Sequence, residues 1–87
     1  MPNGEFAMKA KITAIGDRIE VEVIESENKM TGPFWVITGD ETVYATEDGD
    51  RLSRGDLAVG DTVTIYYGGQ VMMSYPPQIV ATGIVKE

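Results

Sequence analysis

Residues 57–78 read LAVGDTVTIYYGGQVMMSYPPQ and carry the strongest structural signals in the chain. A tight turn is predicted at residues 59–61, because Gly60 tolerates a positive φ angle and Asp61 can accept hydrogen bonds from nearby backbone amides. From Thr62 onward two sets of residues alternate, which predicts a half-buried strand rich in β-branched and aromatic side chains. One side of this strand carries Val63, Ile65 and Tyr67, and the other carries Thr62, Thr64 and Tyr66.

The second half of this stretch predicts a reversal of the chain. Gly68 and Gly69 are expected to end the strand and to begin a hairpin or a wider loop. Pro76 and Pro77 fix their own φ angles and bias the residue before each of them toward extended geometry. The return from the loop is therefore expected to be a rigid corner.

Five further segments have the residue pattern of short strands. Residues 8–15 and 18–26 alternate apolar and polar side chains, so they are expected to pair as a hairpin. Residues 34–38, FWVIT, are the most apolar run and predict a central strand. Residues 43–46 predict either a further short strand or a continuation of the third strand after a bulge, and residues 79–86 predict the last strand.

The order of these elements predicts the fold class. A single helical turn is expected at residues 53–57, capped by Ser53 and with Leu57 pointing inward. The sequence therefore predicts an all-β fold, a small five- to six-stranded OB-like barrel with one short helical turn, and an SH3-like barrel is the alternative. Residues 8–87 are expected to form one domain. Residues 1–7 have neither a basic start nor an apolar core, so they are interpreted as an added leader and not as a signal peptide.

Composition restricts the chemistry of this protein. The 87 residues include neither Cys nor His, which removes disulfides, thiolate metal sites and the commonest general base. The formal net charge is −7, from 14 acidic and 7 basic residues, and the basic residues form no block that would favour nucleic acid as a partner. No apolar run reaches the roughly 18 residues of a membrane-spanning helix. We therefore expect neither an enzyme nor a transmembrane protein.

Two aromatic side chains are candidates for ligand stacking. Trp35 and Tyr66 could stack a sugar or a base on the face of the barrel, as in oligosaccharide or single-strand binders. The competing interpretation is packing, in which alternation places one residue of the pair Tyr66 and Tyr67 inside and the other outside, while Trp35 fills the core. The acidic composition weakens the single-strand option further.

Neither methionines nor acidic loops predict a metal site. Three thioethers, from Met30, Met72 and Met73, would bind a soft metal only weakly without His or Cys, and methionine more often fills gaps or lines contact surfaces. Four loop carboxylates could supply oxygen ligands, but their spacing does not match a calcium-binding loop. These residues are Glu47, Asp48, Asp50 and Asp56. We therefore predict an exposed acidic loop, with no metal and no cofactor.

The corner Ser74-Tyr75-Pro76-Pro77 is the strongest candidate for a contact surface. Ser74 has no histidine to activate it as a nucleophile, so a structural corner with a packed Tyr75 is favoured over a catalytic one. The two methionines that precede this corner, Met72 and Met73, are adaptable contact residues.

Residues 63–81 also carry a family resemblance. The strand VTIYY, a glycine-containing loop and the segment MSYPPQIVA resemble the closing half of a family of small bacterial domains of unknown function that are often secreted or lipid-anchored. A Ser-Tyr-Pro-x-Gln corner precedes the last strand in that family. Ser74, Tyr75, Pro76 and Gln78 match it, whereas Met73 stands where an acidic residue is expected. The turn LAVGDTV, residues 57–63, resembles that family too, so the resemblance covers about a third of the chain. It implies an OB-like barrel and an extracytoplasmic location.

These observations predict a non-catalytic binding or interaction module. Its partner is expected to be a protein, with an association with the cell envelope, and the contact residues are expected at the corner. The alternative is a small-ligand or oligosaccharide binder that uses Trp35 and Tyr66. The protein is expected to be a monomer or a weak homodimer, because an exposed edge strand can pair with its copy.

Overall fold

The computed structural model describes residues 6–26, 32–40, 42–72, 74 and 77–87. Within these residues the chain forms seven β-strands and one 3₁₀ turn, which confirms the predicted all-β class. The strands are β1 Phe6–Ile15, β2 Ile19–Ser26, β3 Gly32–Ile37, β4 Val43–Thr46, β5 Arg51–Leu52, β6 Thr62–Met72 and β7 Gln78–Lys86, and the 3₁₀ turn is Arg54–Asp56. Among the described residues there is no helix that is long and apolar enough to cross a membrane.

Five strands close into a barrel. The sheet order is β3-β2-β1-β6-β7, and the barrel closes because β3 pairs with β7 in parallel, with Trp35 opposite Gln78 and Ile37 opposite Val80. All other neighbours within the barrel are antiparallel. This mixed five-stranded arrangement fits the predicted OB-like barrel.

Two additional strands extend the sheet outside the barrel. β4 pairs in parallel with the second half of β7, and β5 forms the edge beyond β4. β4 is thus a separate strand and not a continuation of β3. Thr42 positions it, because its hydroxyl donates to the Ala81 carbonyl at 2.8 Å and accepts the Gly39 N–H at 3.0 Å.

The barrel interior is filled by the inward-facing set of each strand. β1 buries Met8, Ala10 and Ile12, as its alternation predicts, and it begins at Phe6, two residues earlier than expected. Phe6 packs on Tyr67, with ring centroids 5.8 Å apart. The remaining core residues are Ile19, Val21, Val23, Phe34, Val36, Leu57, Val63, Ile65, Tyr67, Ile79, Ala81 and Ile84. This continuous apolar interior is the main source of stability for the fold.

The prediction that Gly68 and Gly69 end the strand is wrong. β6 continues through both glycines to Met72, and its last two residues pair with β7. Between Tyr67 and Val71 the chain advances four positions, while the paired residues of β7 advance two, so β6 bulges there. Glycines in a strand often mark such a bulge, because the extra residues need a backbone that side chains do not restrict.

The turn before β6 is as predicted. Gly60 has a φ of 97°, and the Asp61 N–H donates to the Ala58 carbonyl at 3.1 Å. The Gly60 N–H donates to the Ile12 carbonyl at 2.8 Å, which fixes the turn against β1. In the preceding 3₁₀ turn, the Ser53 N–H donates to Asp56 Oδ2 at 2.8 Å.

Candidate functional site

Trp35 lies on the outer wall of the barrel, so the interpretation that it fills the core is wrong. Its neighbours Phe34 and Val36 are 2% and 0% exposed and occupy the interior. Because side chains of a strand alternate between its two faces, Trp35 and Ile37 point outward, and both are half-buried. A continuous apolar run such as FWVIT conceals this alternation.

Strand register aligns Trp35 with residues from three neighbouring strands. Glu20 of β2 and Gln78 of β7 are its direct partners, and Met72 of β6 lies opposite Gln78 on the far side. The next outward position of β3, Ile37, is opposite Val80. We call the outer surface formed by Trp35, Ile37, Met72 and Val80 the Trp35 face.

Apolar side chains of the Trp35 face are accessible to a partner. Met72 is 44% exposed and Val80 is 53% exposed. The other large exposed apolar side chains among the described residues are Ile24, on β2, and Val59, in the turn before β6. The Trp35 face therefore gathers two of these four side chains beside a tryptophan.

Arg18 covers part of the Trp35 ring. Its Cζ lies 4.6 Å from the ring centroid, within the range of a cation–π contact. The Gly16 N–H donates to the Arg18 carbonyl at 3.0 Å, and Arg54 Nη2 donates to the Gly16 carbonyl. The β1–β2 loop that carries Arg18 is thus held against the 3₁₀ turn, which orients the guanidinium over the ring.

The predicted corner lies beside Trp35. The Trp35 N–H donates to the Pro77 carbonyl at 2.9 Å, and Gln78 Nε2 donates to Ser74 Oγ at 3.3 Å. Ser74 is exposed and Pro77 is half-buried. The other predicted corner residues, Met73, Tyr75 and Pro76, lie outside the described residues. The structure thus brings Trp35, Met72, Ser74 and Pro77 together at one end of the barrel.

Charges of both signs lie next to Trp35, with Arg18 over its ring and Glu20 on the neighbouring strand. Glu20 lies directly opposite Trp35, and the exposed Asp17 precedes Arg18 in the β1–β2 loop. Glu22 lies opposite Lys11 in the β1–β2 pair, which compensates its charge locally. Because Arg18 and Glu20 offset each other beside the ring, the preference comes from the net charge of −7 over the chain, which favours the approach of a neutral or basic partner.

Tyr66 lies in a different place. It points outward, as the interpretation with one tyrosine inside predicts, while Tyr67 is fully buried. Tyr66 is opposite Gly83 of β7, five positions from the Gln78 that faces Trp35, or about 17 Å along the strand. The predicted pair of stacking aromatics, Trp35 and Tyr66, therefore belongs to two separate surfaces.

Tyr66 borders an open groove between β6, β7 and β4. The groove has a volume of about 610 Å³. Its lining includes Val43, Tyr44, Ala45, Thr64, Tyr66 and Val85, and the exposed residues Glu47, Gly49 and Arg51 form its rim. We call it the Tyr66 groove. Its volume is within the range of roughly 300–1,000 Å³ that is typical of small-ligand sites.

Two ionisable groups with shifted pKa values lie at the end of the barrel near the chain terminus. The Ala58 N–H, which donates to Asp61 Oδ2 at 2.9 Å, lowers the pKa of Asp61, and Lys86 Nζ at 3.3 Å adds to this effect. The Glu87 carboxylate, 3.0 Å from Lys9 Nζ, raises the pKa of Lys9. In both cases the contacts favour the ionised form, and the two ion pairs hold Lys86 and Glu87 against the barrel.

The described side chains of the two surfaces can bind a partner through apolar contacts and hydrogen bonds. No group of three or more acidic residues in the part of the chain that the structure describes could hold a metal ion.

Sequence reasoning missed Arg18, Ile37 and Val80 as members of the site. Alternation within FWVIT would have placed Ile37 beside Trp35, but Val80 joins them only through the closure of the barrel.

Comparison of the chain with protein-family models, with curated proteins and with solved structures finds no match. The Trp35 face and the Tyr66 groove are therefore the structural features from which a function can be inferred. The resemblance of residues 63–81 to small bacterial secreted or lipid-anchored domains stays a prediction.

Proposed function

We propose that this protein is a non-catalytic interaction module that binds a protein partner through the Trp35 face. The observation that carries this proposal is the row of accessible apolar side chains around Trp35, with Met72 at 44% and Val80 at 53% exposure. Protein interfaces are enriched in tryptophan and methionine at their centres, where burial of such side chains supplies much of the binding energy.

The strands that carry these apolar side chains hold them in a fixed arrangement, which favours binding. β3 and β7 pair directly beneath Trp35 and Val80, so the contact side chains lie on the closed part of the barrel. Arg18 orients the tryptophan ring from one side. A surface held in this way loses little conformational entropy when a partner binds.

The partner is expected to present apolar side chains next to neutral or basic ones. Glu20 lies directly opposite Trp35, and the chain carries a net charge of −7. An acidic partner would meet repulsion, whereas a basic one would be attracted during encounter. The resemblance in residues 74–78 supports a partner in the cell envelope.

A matched pair of valine substitutions tests this proposal. Val80→Asp places a charge in the Trp35 face, and Val59→Asp places the same charge at a valine of similar exposure, 53% against 63%, outside the face. Both variants and the wild type are immobilised, and proteins captured from an envelope extract are quantified by mass spectrometry. We expect a partner that wild type and Val59→Asp retain and that Val80→Asp loses by at least about tenfold.

Purified components complete the experiment. The dissociation constant of the captured partner is measured for each variant, and circular dichroism verifies that each variant is folded. Met72→Asp is a second probe of the same face and should weaken binding in the same direction. Equal affinity of the wild type, Val80→Asp and Met72→Asp for every captured protein would contradict the proposal.

A further inference from the structure

The Tyr66 groove is built from three neighbouring strands on the outside of the barrel. Gly83 of β7 is buried and lies between Tyr66 of β6 and Val43 of β4, so that these two side chains line the groove on either side of β7. In the adjacent row, Val85 lies between Thr64 and Ala45. The groove therefore has an aromatic wall at one end and a small apolar floor.

Its polar groups are free to bind a ligand. Among the described residues, neither the side-chain hydroxyls of Tyr66 and Thr64 nor the Arg51 guanidinium has a hydrogen-bond or ion-pair partner. Arg51 lies directly opposite Ala45, so its guanidinium originates at the rim. Glu47 contributes an exposed carboxylate to the same rim.

The charges at the rim restrict the class of ligand. One guanidinium and one carboxylate make the rim neutral, although the whole chain carries −7. An anionic ligand would gain from Arg51 but would be repelled by Glu47 and by the chain, and a cationic ligand would be repelled by Arg51. A neutral ligand with many hydroxyl groups can bind both Arg51 and Glu47, because a hydroxyl donates to a carboxylate and accepts from a guanidinium.

We propose that the Tyr66 groove binds a neutral oligosaccharide. The C–H face of a pyranose ring packs on the Tyr66 ring, while its hydroxyl groups bond to Thr64, Arg51 and Glu47. Val85, the β7 residue that lines the groove, lies five positions beyond Val80 of the Trp35 face, so the two surfaces share no residue.

Titrations followed by two-dimensional ¹H–¹⁵N NMR test this proposal. The probes are maltotriose, cellotriose and triacetylchitotriose, each added to about 10 mM, which detects dissociation constants in the millimolar range. Benzoate at the same concentration is the anionic probe. We expect saturable shifts of the Tyr66, Gly83 and Val85 amides with at least one trisaccharide and smaller shifts with benzoate.

Variants then separate the groove from the rest of the surface. Arg51→Gln removes the guanidinium from an exposed position, so the fold is retained, and it should weaken the binding trisaccharide by about tenfold. Tyr66→Ala should abolish the shifts, whereas Tyr66→Phe should retain most of the affinity through its ring. Trp35→Ala should leave the affinity unchanged.

Three results would overturn the inference. One is the absence of groove shifts with all three trisaccharides, another is a benzoate response stronger than any trisaccharide response, and the third is shifts confined to the Trp35 face. The valine pair that tests the protein partner does not touch this groove, so either proposal can fail while the other stands.

Discussion

Asp61 is a single residue that holds three parts of the chain together. Its carboxylate accepts the Ala58 N–H at 2.9 Å and lies 3.3 Å from Lys86 Nζ, while its backbone carbonyl accepts the Ile12 N–H at 2.9 Å. The turn, the last strand and β1 therefore meet at one residue. A charged acceptor of two hydrogen bonds is favoured in its ionised form, which lowers the pKa of Asp61.

The lowered pKa of Asp61 makes stability depend on pH. A folded-state pKa below the ordinary value of 3.8 means that the stabilisation is fully present above pH 3.8 and is lost as pH falls through the lower folded-state value. We expect Asp61→Asn to be less stable than wild type at pH 7, with a difference that shrinks steadily below pH 3.8. Urea denaturation between pH 7 and pH 2.5 measures this difference.

Asp48→Asn is the control, since it removes the same charge from an exposed loop position. Its stability relative to wild type should change much less between the two ends of this pH range. A constant difference between wild type and Asp61→Asn at all pH values would contradict the role assigned to the Asp61 carboxylate.

At the scale of single elements, local pattern identified the strands well and the turns less reliably. Alternation in β1, β2 and β6 predicted their buried residues, because a sheet with one face in the core forces a period of two. The pair Gly68 and Gly69 misled the prediction, since glycine accompanies both turns and bulges. Pairing of Val71 with Ile79 distinguishes the two, and that pairing depends on a strand elsewhere in the sequence.

The candidate site was only partly predictable, because it too depends on pairing between strands that are distant in sequence. Met72, Ser74 and Pro77 belong to the stretch whose composition singled it out, and they lie beside Trp35 as one surface. Val80 could be assigned to this surface only when the register of β3 against β7 was known. Neither the sequence of β3 nor that of β7 indicates that these two strands pair in parallel to close the barrel.

β3 offers a direct test of which side chains are inside. Phe34 is 2% exposed, so Phe34→Ala should lower the free energy of unfolding by about 3–5 kcal/mol through lost burial and a cavity. Trp35→Ala should cost only about 1 kcal/mol, because it removes a half-buried side chain and a cation–π contact. Denaturant unfolding followed by circular dichroism measures both.

If Phe34→Ala does not fold, Phe34→Leu and Trp35→Leu give the same comparison at smaller amplitude, with the larger loss again expected at Phe34. A greater loss at Trp35 than at Phe34 would mean that the faces of β3 are reversed. That outcome would also remove the basis of the Trp35 face.

At the scale of the whole molecule, the dominant electrostatic feature is self-repulsion. The chain carries −7 within a radius of gyration of 11.4 Å, so its charges lie closer together than the Debye length of about 30 Å at 10 mM salt. The ion pairs Lys9–Glu87 and Lys86–Asp61 involve partly exposed side chains, and pairs of this kind contribute little. Repulsion among the remaining acids should therefore outweigh attraction.

Salt should consequently stabilise this protein. Raising NaCl from about 10 mM to about 150 mM shortens the Debye length to about 8 Å, and the melting temperature Tm at pH 7 should rise by a few degrees. Thermal unfolding by circular dichroism measures the change, and the double variant Asp48→Asn, Asp50→Asn should respond less, because it has lost two exposed negative charges. A Tm that falls as NaCl is added would mean that the ion pairs dominate. In that case the acidic field invoked to select a basic partner at the Trp35 face would also be too weak to do so.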